Sequence, residues 1–97
     1  MAHYILLVNW TDQGVRNFKD SQERAAGFAE LVRGMGGTVQ EIFWTIGPYD
    51  IVVVAEAPDD ETITAAALKV SGLGNVRTTT LRAFGEQEFA AIAGRAG

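Results

Sequence analysis

Residues 46–57 have the sequence IGPYDIVVVAEA, and this stretch decides the fold. Gly47 and Pro48 together predict a turn. The segment from Tyr49 to Ala57 predicts a strand, because a short apolar run rich in β-branched residues and bounded by a turn is typical of one. The segment before the turn, Thr38 to Thr45, predicts another strand, and the two are close enough along the chain to form a hairpin.

Upstream of the hairpin, the chain predicts one strand, one loop and one helix. Tyr4 to Trp10 predicts a strand that is apolar on both faces. Thr11 to Lys19 predicts a polar loop. Asp20 and Ser21 are N-cap residue types, and Glu23 follows Asp20 at capping-box spacing. The predicted helix runs to about Gly34, and its buried stripe comprises Ala25, Phe28, Leu31, Val32 and Met35.

Downstream of the hairpin, a second helix and a fourth strand are predicted. The helix opens with the acidic residues 59–61, which suit the positive end of the helix dipole, and it ends at Gly72 and Gly74. Asn75 to Phe84 predicts the strand, and Glu86 to Ala93 predicts a short terminal helix. The apolar face of the second helix comprises Ile63, Ala66, Ala67 and Val70.

The resulting order, βαββαβ, predicts an α+β fold: a ferredoxin-like sandwich in which two helices cover one face of a four-stranded antiparallel sheet. A solvated second face should alternate apolar and polar residues cleanly, yet the first and third strands are apolar on both faces. We therefore expect a second copy of the chain to cover the other face, giving a homodimer or a larger homo-oligomer.

Composition limits the classes of function. The chain has 97 residues, which predicts a single domain over residues 1–97, with an Ala/Gly-rich flexible tail at residues 90–97. The net charge of −4 and the absence of a basic cluster argue against nucleic acid and anionic lipid as partners. The start of the chain does not resemble a signal peptide, no stretch is long enough to span a membrane, and cysteine is absent, so we expect a cytoplasmic protein.

The segment Ile46 to Val52 resembles the Gly-x-Tyr-Asp motif of the GYD domain family. The segment Tyr4 to Thr11 followed by Gly14, and the segment Gly74 to Leu81, are also similar to that family. The resemblance covers roughly residues 4–89. It implies a dimeric α+β barrel and no established activity. A fainter similarity to the effector-binding domains of Lrp/AsnC regulators implies at most a stand-alone sensor, because no DNA-binding helix-turn-helix is present.

Six residues are candidates for binding a ligand, and each has a structural alternative. Tyr49 and Asp50 could form the rim of a pocket between subunits, or pack and cap backbone amides at the turn. Trp10 and Trp44 could line a cavity, or belong to the core or an interface. Arg77 could clamp a carboxylate or form an ion pair. Other residues of the first loop and its flanks, including Asn9, could bind an anion or be solvated surface.

The sequence predicts no metal site and no cofactor. The chain has one histidine, His3, and no cysteine, and no acidic spacing suits a transition metal. His3 could be a general base, but it lies at the start of a strand and resembles a cloning remnant.

These observations favour a non-enzymatic module that binds a small molecule in a cavity between subunits, or that serves assembly. The alternative is a cofactor-independent oxygenase or isomerase acting on a hydrophobic molecule, with Asn9, Tyr49, Asp50 and Arg77 as candidate acid–base or polar groups. Fold analogy alone cannot decide between them.

Overall fold

The computed structural model describes all 97 residues. Its order of elements contains the predicted βαββαβ arrangement, with an additional short helix after the first strand and a terminal helix. A single 3-10 turn at Phe18–Asp20 precedes the first long helix. The strands are β1 (Ala2–Trp10), β2 (Thr38–Trp44), β3 (Ile51–Ala57) and β4 (Val76–Ala83), and the helices are α1 (Asp12–Arg16), α2 (Ser21–Gly34), α3 (Asp60–Ser71) and α4 (Glu86–Arg95).

The four strands form one antiparallel sheet in the order β2-β3-β1-β4. The two central strands are thus β1 and β3, the pair with the most continuous apolar sequence. Helices α2 and α3 pack on one face of the sheet, which we call the helix-side face. This topology confirms the predicted ferredoxin-like fold.

The core lies between the helix-side face and these two helices. Alternate residues of β1 and β3 are buried there, together with Phe28 and Val32 of α2 and with Ile63, Ala66 and Ala67 of α3. The predicted apolar stripes of the two long helices therefore do face the core, although four of their residues are only half-buried: Ala25, Leu31, Met35 and Val70. The buried strand residues are Tyr4, Leu6, Val8, Ile51, Val53, Ala55, Ala57 and Val76.

The opposite face of the sheet, which we call the open face, carries no helix and is apolar at its centre. Paired residues on neighbouring strands share a face, and Ile5 pairs with both Val54 and Leu81. Leu7 pairs in the same way with Val52. The structure thus confirms that β1 and β3 are apolar on both faces. Six residues form this apolar centre: Ile5, Leu7, Phe43, Val52, Val54 and Leu81.

A β-bulge in β2 decides which of its side chains face the helices. The register shifts between Val39 and Glu41, so Gln40 is inserted without a partner. Val39 pairs with the buried Ala55, while Glu41 pairs with Val54 of the open face. Strict alternation would have placed Val39 and Glu41 on the same face.

Two local predictions were wrong. The segment Thr11 to Lys19, predicted as a loop, contains α1, because the Thr11 hydroxyl accepts the N–H of Gly14 and caps a short helix. Asp20 does not form the predicted capping box, since its side chain makes no capping hydrogen bond and the chain enters α2 from the 3-10 turn. Ser21, the other predicted cap residue, is buried as the first residue of α2.

The C-terminal residues contain the predicted terminal helix. Helix α4 covers the predicted span Glu86 to Ala93 and continues to Arg95, within the segment predicted as a flexible tail. Helix α4 exposes Phe89 and Ile92 and buries none of its residues. No helix of the structure combines the length and the apolar character needed to cross a membrane.

Candidate functional site

A cavity of about 310 Å³ lies inside the protomer, between the helix-side face and the pair α2 and α3. Helix α2 contributes two small residues to its wall, Ala25 and Gly27, while the sheet below contributes mostly β-branched ones. Its volume is at the lower end of the range of about 300–1,000 Å³ typical of small-molecule pockets. Twelve of its 18 lining residues are hydrophobic, so its walls suit an apolar ligand.

The polar lining residues gather at one end of this cavity. Strand β1 ends at Trp10, α2 begins at Ser21 and α3 ends at Ser71, all at the same end of the sandwich. Arg24, Lys69 and Asn75 line the cavity near these termini. Leu6, Phe28 and Val53 line its apolar interior. The cavity is therefore polarised, with cationic side chains at one end only.

Trp10 lines the cavity, and its backbone is hydrogen-bonded to Asp50. The Asp50 carboxylate accepts the backbone N–H of Trp10 at 2.9 Å, and the backbone N–H of Asp50 donates to the Val8 carbonyl, also at 2.9 Å. The indole Nε1 of Trp10 is buried and has no hydrogen-bond acceptor. Asp50 thus makes the amide-capping contact of its structural alternative, and it does not line the cavity.

Trp44 contributes to the same region indirectly. Its indole Nε1 donates to the Ser21 hydroxyl at 2.9 Å, and Ser21 lines the cavity while Trp44 does not. This bond joins β2 to the N-terminus of α2. Tyr49 lies in the hairpin, where its carbonyl accepts the Thr45 hydroxyl at 2.6 Å. Gly47 has a φ of +125°, a backbone conformation that glycine adopts most readily.

The remaining two candidates lie on the open face. Asn9 of β1 pairs with Arg77 of β4, and neither residue lines the cavity. Arg77 forms no ion pair in the structure, so the salt bridge of its structural alternative is absent within one protomer. The six candidates are therefore not one site. Trp10 lines the cavity and contacts Asp50, Trp44 contacts the lining residue Ser21, Tyr49 lies in the hairpin, and Asn9 and Arg77 face away from the cavity.

His3 lies at the opposite end of the open face. Its Nδ1 is 3.5 Å from Glu56 Oε1, and its Nε2 is 3.9 Å from Glu88 Oε1. Arg82 also contacts Glu88, with 3.4 Å between Nη2 and Oε2. The hydrogen bond from the Gly85 backbone N–H is the largest cause of a lowered Glu88 pKa. This cluster fastens the start of α4 to the sheet. No three acidic or histidine side chains converge in a metal-binding arrangement.

Sequence reasoning missed a second contact that crosses the core. The buried Tyr4 hydroxyl donates to Asp60 Oδ1 at 2.5 Å, which links β1 to the first turn of α3. Burial first, and this hydrogen bond second, raise the pKa of Tyr4 to about 12. The Arg82 guanidinium lies 5.8 Å from the Tyr4 ring centroid and 4.4 Å from that of Phe84. Only the acidic start of α3 hinted at a polar partner there.

The turn before β4 is hydrogen-bonded to Thr11 at the start of α1 and packs closely against Gly14. The Thr11 hydroxyl donates to the Gly74 carbonyl at 2.6 Å, and the Thr11 N–H donates to the Asn75 carbonyl at 3.1 Å. A Cβ on Gly14 would lie 1.9 Å from that Asn75 oxygen. These contacts close the polar end of the sandwich beside the cavity.

Comparison with known proteins places these features in context. The family model described as GYD domain matches residues 4–93. A relative from Thermus thermophilus, named glutamine synthetase and cystathionine beta-lyase binding protein, is 37% identical over 84 residues, which cover 86% of this chain and 88% of the relative.

Two solved structures share the fold. The crystal structure of TTHA0845 from Thermus thermophilus has a TM-score of 0.56 and 24% identity, covering 88% of this chain and 95% of that one. The crystal structure of MtbAldR has a TM-score of 0.59 and 15% identity over 88% of this chain. The present chain spans about half of MtbAldR, 52% of its length. At these identities the likeness concerns the fold alone.

Proposed function

This chain belongs to the GYD domain family, and on that premise we propose that it is a non-enzymatic binding module that pairs with a second copy through its open face and binds an enzyme as its protein partner. The observation that carries the proposal is the apolar open face. Two of its residues, Phe43 and Leu81, are 53% and 44% exposed in a single chain. A patch of this kind on a sheet is typical of an interaction surface.

A second copy of this chain is the partner that best fits the open face. A two-fold pair would bury the six apolar side chains of one copy against the same six of the other. Four of them are already half-buried in one chain, so the gain comes mainly from Phe43 and Leu81, and it stays below the roughly 1.5–3 kcal/mol of a fully exposed side chain. The two ends of this face also differ in charge. Arg77 lies beside Asn9 at one end, and Glu56 lies beside His3 at the other.

The pairing also explains how Asn9 and Arg77 could serve a ligand. Both residues lie on the face that the second copy would cover. A small molecule held between the two sheets would meet the Arg77 guanidinium, whose planar geometry suits a carboxylate. This inter-subunit pocket is part of the proposal and is separate from the cavity inside the protomer.

The enzyme partner is proposed from the relative. That protein is named for binding glutamine synthetase and cystathionine beta-lyase, and its match covers most of both chains. We therefore propose an enzyme of one of these two kinds as partner of the paired module. We include a cytoplasmic location in the proposal, because a chain without cysteine needs no oxidising compartment.

The pairing is tested by size-exclusion chromatography with light scattering at micromolar concentration. Leu7→Asp places a charge at the centre of the open face and should give a monomer. The matched control is Leu68→Asp, because Leu68 is 69% exposed on α3, away from that face; this variant should keep the wild-type mass. A folded wild-type monomer, or a Leu7→Asp variant of unchanged mass, would overturn the pairing.

The enzyme partner is tested by biolayer interferometry with purified glutamine synthetase and cystathionine β-lyase from the source organism. Binding of either enzyme to the wild-type protein, in a stoichiometric complex that light scattering confirms, supports the proposal. Failure of both enzymes to bind at micromolar concentration would remove the enzyme-binding part and leave a self-assembling module.

A further inference from the structure

We propose that the cavity inside each protomer is a binding site for an amphipathic small molecule, with an apolar body between α2, α3 and the sheet and a carboxylate at the polar end beside Lys69. Such a site is independent of the pairing proposed above. None of the six residues at the apolar centre of the open face lines the cavity, so one chain contains the complete site.

The apolar interior of the cavity determines the size and the polarity of the main part of the ligand. With about 30 Å³ for each water-sized group, a cavity of 310 Å³ holds roughly ten heavy atoms. Leu6, Phe28, Leu31 and Val53 surround this space and offer no hydrogen-bonding side chain. A chain of about ten carbons, or a molecule with one or two rings, fits both the volume and the chemistry.

The polar end of the cavity determines the charge of the ligand's head group. Lys69 lines the cavity and forms no ion pair or side-chain hydrogen bond in the structure. Arg24 also lines it, but its guanidinium donates to the carbonyls of Asn17 and Gly14 at 2.9 and 3.3 Å. Lys69 is therefore the free cation at this end, and no acidic side chain lines the cavity to neutralise it. A carboxylate is the complementary head group.

The orphaned indole N–H of Trp10 is a second indication of a polar ligand atom. A buried donor without an acceptor is destabilising, because it has lost its hydrogen bond to water and gained none in return. Trp10 lies at the end of β1, on the same end of the cavity as Lys69 and Asn75. An oxygen of the bound head group that lies within hydrogen-bond distance of Trp10 Nε1 would supply the missing acceptor.

The experiment is isothermal titration calorimetry with decanoate as the probe and decan-1-ol as its neutral match, below their aggregation limits. Decanoate should bind once per chain. Decan-1-ol should bind about tenfold or more weakly, because it lacks the charge-assisted contact. Equal affinities would overturn the carboxylate assignment, and absence of binding by both probes would overturn the site.

Two pairs of variants locate the binding. Ala25→Leu fills the cavity and should abolish decanoate binding, whereas Ala26→Leu adds the same side chain on the exposed surface of α2 and should bind like the wild-type protein. Lys69→Gln should weaken decanoate binding about tenfold, and Lys19→Gln should not. Lys69 is exposed, so this variant tests the site even if Ala25→Leu fails to fold. Wild-type affinity in both Ala25→Leu and Lys69→Gln would contradict the proposal.

The Leu7→Asp variant separates this proposal from the pairing. Because the cavity lies within one chain, a Leu7→Asp monomer should bind decanoate with unchanged affinity. Loss of decanoate binding on conversion to the monomer would overturn the intra-protomer site, whatever the outcome for the enzyme partner.

Discussion

The carboxylate of Asp50 accepts the backbone N–H of Trp10 at 2.9 Å, although 40 residues separate the two along the chain. This bond joins the end of the β2–β3 hairpin to the end of β1. It continues the pairing of β1 with β3 by one side-chain contact beyond the last paired residues, Val8 and Ile51. Asp50 thereby positions the tryptophan that forms part of the cavity wall.

Replacing Asp50 by Ala should destabilise the protein by about 1.5–3 kcal/mol, because the Trp10 amide loses a charged acceptor. Asp50→Asn keeps an acceptor oxygen and should lose clearly less. Urea unfolding of both variants measures the difference. Equal losses in the two variants would show that the charge of Asp50, rather than the hydrogen bond, provides the stability.

Replacing Gly14 by Ala should destabilise the protein by about 1–3 kcal/mol or more, because the new Cβ would overlap the Asn75 carbonyl oxygen at 1.9 Å. Gly27→Ala is the matched control. No atom lies within 4 Å of a Cβ at Gly27, in the middle of α2, so this change should stabilise the helix by up to about 1 kcal/mol. Thermal unfolding compares the two, and a neutral Gly14→Ala would show that the turn before β4 yields easily.

Ionisation of Tyr4 should lower the free energy of unfolding at alkaline pH. Its pKa rises from 10.0 in the unfolded chain to about 12 in the folded protein. The folded state therefore holds this proton more tightly, so the contribution is complete below pH 10 and is lost as pH rises towards 12. Tyr4→Phe should remove this part of the pH dependence in denaturant unfolding. A wild-type minus Tyr4→Phe difference that does not change between pH 10 and 12 would contradict it.

Asp59 should make stability depend on acidic pH. Hydrogen bonds from the Thr62 hydroxyl and then from its backbone N–H lower the Asp59 pKa below 3.8. The folded state favours the ionised carboxylate, so this contribution is present above pH 3.8 and is lost as pH falls through the lower folded value. Asp59→Asn should lower the melting temperature at about pH 6 and lessen its decline below about pH 4. Parallel melting profiles of the two proteins would show that this cap does not couple to pH.

The strands and long helices could be predicted from the chain because their signals are local. Tyr4 to Trp10 and Ile51 to Ala57 are apolar in consecutive positions, and Phe28 and Val32 recur at helical spacing. Helix α1 was missed because five residues containing a glycine carry no hydrophobic periodicity. Its stability comes from the Thr11 cap and from contacts with the distant turn at Gly74, neither of which leaves a local pattern.

The predicted pocket between subunits stays a prediction, and the cavity within one chain was not predicted. Trp10, chosen for its aromatic side chain, does line the cavity, and Trp44 reaches its wall through Ser21. The sequence places Asn9 and Arg77 on strands. It does not show which site they belong to, because that assignment depends on which face of the sheet the helices cover. Lys69 carried no signal at all, because a single lysine near the end of a helix is indistinguishable from ordinary surface.

The sequence by itself determined the order of the four strands and the two long helices, and the apolar character of both sheet faces, because hydrophobic periodicity and turn residues act over a few neighbouring positions. The tertiary structure alone decided the bulge at Gln40, the contact of Asp50 with Trp10 and the gap between the helices and the sheet. These depend on how separate segments meet, and the volume left between packed layers is a property of the pair of surfaces and not of either segment.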